Sequence, residues 1–78
     1  MLHVEFTVEP FVEGHLGPHV TAAISAVEAL GVVVEIGPFS SGFDVASDRV
    51  GEVVAGLLNG AYGNGATHVS VRVEAVAQ

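Results

Sequence analysis

Leu2-His3-Val4-Glu5-Phe6-Thr7-Val8-Glu9 alternates without a break. Leu2, Val4, Phe6 and Val8 fall on one side of an extended chain, and His3, Glu5, Thr7 and Glu9 on the other. That is the pattern of a strand with one face buried and one open, and Pro10, with no N–H to give a ladder, ends it. A stretch of the same character lies near the other end of the chain. From Thr67 to Ala75, Val69, Val71, Val73 and Ala75 turn inward while His68, Ser70, Arg72 and Glu74 turn outward.

Between these two strands the period changes. After a loop with two glycines, Phe11 to Gly17, Pro18 suits a first helical turn, where its missing N–H is no loss. Val20, Ala23, Ile24, Val27 and Leu30 recur at helical spacing, and Gly31 fits the position that stops a helix. The β-branched run Val32 to Ile36 predicts a second strand, broken by Gly37-Pro38. Phe39 to Val45 predicts a third, with Phe39, Ser41, Phe43 and Val45 on one face and Ser40, Gly42 and Asp44 on the other. Ser47 is placed to cap a second helix with Asp48 in its first turn and Val50, Val53, Val54, Leu57, Leu58 and Ala61 as its apolar stripe. Asn64-Gly65 closes that helix with a turn.

The order strand, helix, strand, strand, helix, strand within 78 residues predicts one domain, residues 1–78, of α+β class. Two helices on one face of a four-stranded antiparallel sheet make a ferredoxin-like split βαβ sandwich (βαββαβ), with the first and third strands as its central pair.

Composition narrows the function. There is no cysteine, hence no disulfide framework and no thiolate nucleophile. Arg49 and Arg72 are the only fixed cations against nine acids, for a formal net charge of −7. Such a chain cannot neutralise many phosphates, so neither nucleic acid nor an anionic membrane is an expected partner, whereas a cation is. Met1 leads straight into the first strand without a basic leader, and every apolar run is interrupted before 18 residues, so the expectation is a cytoplasmic protein. Small domains bury only about 60% of their surface, which makes self-association a reasonable expectation.

The side that the helices leave uncovered carries His3, Glu5, Thr7 and Glu9 beside His68, Ser70, Arg72 and Glu74. It is either a solvated surface or a contact between subunits, and Arg72 is the cation available to pair there with an acid. Asp44 stands on the same side of the third strand, near two serine hydroxyls, where a carboxylate can accept hydrogen bonds from an exocyclic amine or a protonated ring nitrogen. Glu13, His15 and His19 are close in sequence, but Gly17-Pro18 interrupts them, so no metal centre is expected. No nucleophile elbow or phosphate-binding glycine loop is present, and the chain is not expected to be an enzyme or to hold a cofactor.

With these residues in view, the first strand Val4 to Pro10, the helix His19 to Leu30, the second strand Val32 to Gly37 and the closing Thr67 to Val73 together resemble the thiamine-binding protein family, small proteins long catalogued as a domain of unknown function. The resemblance covers nearly the whole chain. It implies a non-catalytic protein of ferredoxin-like fold that binds thiamine or its hydroxymethylpyrimidine moiety and assembles as a homodimer or homotetramer through its sheets. It also implies ligand contacts from Glu5 and Thr7 of the first strand and from Ser40, Ser41 and Asp44, where Ser41 stands for the family's usual threonine and Asp44 for its usual glutamate. Phe11, just past the end of the alternation, is the expected stacking ring, with Phe39 and Phe43 more at home in the core. Asp44 is one methylene shorter than glutamate, which leaves a gap of about 1 Å in a site built for the longer acid. The alternative is a structural or regulatory module whose open sheet serves assembly alone.

Overall fold

A computed structural model describes residues 1–10 and 16–76 of the chain. Its elements are β1 (Leu2–Glu9), α1 (Pro18–Glu28), β2 (Glu35–Ile36), β3 (Ser41–Val45), α2 (Val50–Tyr62) and β4 (His68–Ala75). The sheet is antiparallel in the order β2-β3-β1-β4, with β1 and β3 central as the patterning predicts. This is the ferredoxin-like α+β architecture, with both helices on one face.

Alternation in β1 drives the packing. Val4, Phe6 and Val8 are buried with Phe43 and Val45 of β3, beneath Ala23, Ile24 and Val27 of α1 and Val53, Leu57 and Ala61 of α2. Phe6 and Phe43 meet as tilted rings 6.0 Å apart, a favoured aromatic geometry. Gly31, with φ 85°, and Gly65, with φ 102°, take the left-handed region in the turns that follow, but each lies beyond the helix end itself, which is capped by Ala29 in α1 and by Gly63 in α2.

Three boundaries and one burial pattern differ from expectation. β2 is two residues long rather than five, because Val32 turns into the core and Val34 packs against it. β3 begins at Ser41, which leaves Phe39 in the preceding turn and 79% exposed instead of in the core. α2 starts after a turn at residues 47–49, so its N-cap is Arg49 and not Ser47, and Glu52 takes the first-turn place expected of Asp48. There Arg49 Nε donates to Glu52 Oε1 (2.7 Å) and Arg49 Nη2 to the Leu30 carbonyl (2.8 Å), tying the start of α2 to the end of α1. Finally, Val73 and Ala75 are exposed although they lie on the helix side, because β4 is an edge strand that the helices cover only toward Val69 and Val71. Among the described residues no helix is long and apolar enough to cross a membrane.

Candidate functional site

The helix-free face of the sheet is set by register. Glu35, Gly42, Glu5 and Arg72 form one row across all four strands. Asp44, His3 and Glu74 form the next row, and Thr7 sits opposite Ser70. Five of the nine acids, Glu5, Glu9, Glu35, Asp44 and Glu74, therefore share this face.

At its centre His3 is held between two carboxylates. Nδ1–H donates to Asp44 Oδ1 at 2.8 Å, and Nε2 lies 3.4 Å from Glu5 Oε1. Both nitrogens can donate only when the ring is protonated. Gly42 makes the arrangement possible, since a Cβ there would stand 3.3 Å from Cε1 and Nε2 of the ring. The hydrogen bond to Asp44 raises the His3 pKa above its ordinary value near 6.5; partial desolvation opposes this, and Glu5 reinforces it.

Two shallow depressions meet at Glu5 and Ser40. One, about 200 Å³, is lined by Glu5, Thr7, Ser40, Ser70, Val71 and Arg72. The other, about 270 Å³, is lined by His3, Glu5, Glu35, Ser40 and Gly42 among others. A larger hollow of about 470 Å³ flanks Asp44 on its far side, toward Val33 and Arg49. On the helix side, an apolar slot of only about 40 Å³ opens between Phe6, Val8, Leu16, Val20 and Phe39.

Glu5, Thr7 and Asp44 thus occupy the open face, and Ser40, half-buried just before β3, reaches the same basin. Ser41 is buried at the start of β3 on the side opposite Asp44, where it borders the apolar slot. Phe11, Glu13 and His15 lie outside the described residues. His19 is buried and donates from Nε2 to the Pro10 carbonyl at 2.6 Å, a structural bond that closes the base of α1 on the end of β1. Among the described residues no cluster of three His, Asp or Glu side chains is arranged to hold a metal. Nor does Arg72 form an ion pair among them, although Glu5 is its register partner. The basic side chain engaged with the acids is His3, a residue the sequence patterning placed on this face without a role; its spacing of two from Glu5 was the available signal.

No family model matches the chain, and no curated protein matches it. Solved structures do. A domain of unknown function, DUF77, from Bacillus cereus is 23% identical, with a TM-score of 0.66, over 94% of this chain and 71% of that one. Protein SP2199 from Streptococcus pneumoniae is also 23% identical, with a TM-score of 0.59, over 99% of this chain and 87% of that one. The likeness is one of fold. A small DUF77-type sandwich is therefore the scaffold on which the acidic face sits, and function has to be argued from the face itself.

Proposed function

We propose that this chain is a non-catalytic binding protein for a small nitrogen heterocycle, with thiamine or its hydroxymethylpyrimidine moiety as the ligand. One observation carries the reading: the open face already accommodates an aromatic nitrogen ring, the His3 imidazole, between Asp44 and Glu5 over the side-chain-free position Gly42. An aminopyrimidine offers the same kind of donors to those carboxylates, an exocyclic amine and, when protonated, a ring nitrogen. Thr7, Ser40 and Ser70 supply hydroxyls on the adjoining side. The net charge of −7 favours a cation over any phosphorylated ligand.

Calorimetric titration with thiamine and with hydroxymethylpyrimidine tests this directly. Asp44→Asn should weaken binding by about 1 kcal/mol or more, because a charge-assisted hydrogen bond becomes a neutral one. No heat at millimolar ligand, or equal affinity in the Asn variant, would sink the reading.

A further inference from the structure

We infer that His3 is a built-in competitor for the open face: its imidazolium fills the cradle between Asp44 and Glu5, a heterocyclic ligand enters as the ring swings out, and entry releases a proton. The inference rests on the reading of this face as a binding site and adds what regulates it. Its first ground is occupancy. The ring engages both carboxylates, with Nδ1–H donating to Asp44 Oδ1 at 2.8 Å and Nε2 lying 3.4 Å from Glu5 Oε1. It does so over Gly42, where even a Cβ would stand 3.3 Å from Cε1 and Nε2. A second ring cannot share that place, so ligand and imidazole exclude one another.

The second ground is a way out. His3 lines two cavities at once, the depression of about 270 Å³ with Glu5 and Gly42 and the hollow of about 470 Å³ toward Val33 and Arg49. It stands between them as a partition. Its side chain is 32% exposed, so two hydrogen bonds rather than close packing hold it there. A change of rotamer carries the ring toward the hollow and leaves Asp44 and Glu5 facing a wider basin.

The surrounding charges set the direction. Glu5 on β1, Asp44 on β3, Glu74 on β4 and Glu35 on β2 favour the imidazolium. Arg72 on β4, the Met1 amino group and Arg49 across the hollow oppose it, and Arg49 is already paired with Glu52. The acids prevail, led by the Asp44 bond, and the His3 pKa is raised. Only the protonated ring donates to both carboxylates, so losing the proton frees one of them and loosens the ring. Below the His3 midpoint the fraction of molecules with an open cradle falls by up to about tenfold per pH unit, and apparent affinity falls with it. Above the midpoint affinity levels off.

Two probes test this, thiamine and free imidazole, on the wild type and His3→Ala, with circular dichroism to verify folding. By calorimetry the wild type should bind thiamine severalfold more weakly at about pH 6 than at about pH 8, a range in which the carboxylates stay ionised. Heats measured in buffers of different ionisation enthalpy should report the released proton. His3→Ala should bind thiamine more tightly than the wild type at about pH 6 and change little across the range. Free imidazole, followed by NMR at the Gly42 amide, should bind His3→Ala at about pH 6, where it is a cation, and leave the wild type unmoved. Wild-type affinity for thiamine that is level with pH, or a His3→Ala variant no tighter than the wild type, would overturn the inference. If neither chain binds thiamine at any pH, the proposed ligand falls and the imidazole arm decides alone. There, no response in His3→Ala, or the same response in both chains, overturns the competition.

Discussion

His3 is the residue on which the open face turns. Asp44 and Glu5 bond to it, Glu74 is its register partner on β4, and Glu35 borders the same depression. Every charged group in that set is an acid, so each favours the imidazolium. A histidine whose folded pKa lies above its unfolded value stabilises the fold fully below about pH 6.5, and the contribution is lost as pH rises through the folded value. His3 Cε1–H should accordingly titrate by NMR at a midpoint above the ordinary histidine value near 6.5. Asp44→Asn should bring the His3 midpoint down, and so should Gly42→Ala, because the new Cβ would crowd the ring at 3.3 Å and the Val4 carbonyl at 3.2 Å. An unchanged midpoint in both variants would mean that the Asp44 bond does not govern the ring.

At the scale of elements, two glycines of α2 look alike in sequence and differ in consequence. A Cβ at Gly60 would lie 2.8 Å from the Ala22 carbonyl oxygen and 3.2 Å from Ala23 Cα of α1, so the two helices touch backbone to backbone there. At Gly51 a Cβ would meet nothing within 4 Å. Gly60→Ala should therefore destabilise the protein by about 1–3 kcal/mol through overpacking. Gly51→Ala should stabilise it by up to about 1 kcal/mol through helix propensity alone. Thermal melts of the two variants should move in opposite directions. Helix positions and the sidedness of β1 were legible because each follows from a local period, and the strand order followed from the fold that the succession of elements implies. What escaped depends on three-dimensional cover. Phe39 alternates correctly with Phe43 yet lies one turn outside the sheet, and Val73 alternates correctly with Val71 yet lies past the edge of the helix layer. The polar face could be read in the same way, strand by strand. The His3–Asp44 bond could not, because it joins positions 41 residues apart through a register that only the folded sheet defines.

For the molecule as a whole, charge distribution sets a rank order that pocket shape does not. Of the two arginines, Arg49 is engaged with Glu52 and the Leu30 carbonyl at the start of α2, so Arg72 is the fixed cation on the open face. Around it stand Glu5, Glu9, Glu35, Asp44 and Glu74. A thiamine cation approaching this face is attracted by most of what it meets. Adding one phosphate cancels that attraction and adding a second reverses it, and among the described residues this face offers no cluster of fixed cations to receive either. Affinity should then fall in the order thiamine, thiamine monophosphate, thiamine diphosphate. Salt separates this field effect from simple steric exclusion of the phosphates. Exposed charges are screened beyond about 10 Å at 0.1 M ionic strength, so raising salt should weaken thiamine binding and narrow the gap between thiamine and its diphosphate. Calorimetric titrations of the three ligands at low and high salt provide the comparison. A gap independent of salt would place the discrimination in contact geometry, whereas tighter binding of the diphosphate would contradict a site built from carboxylates.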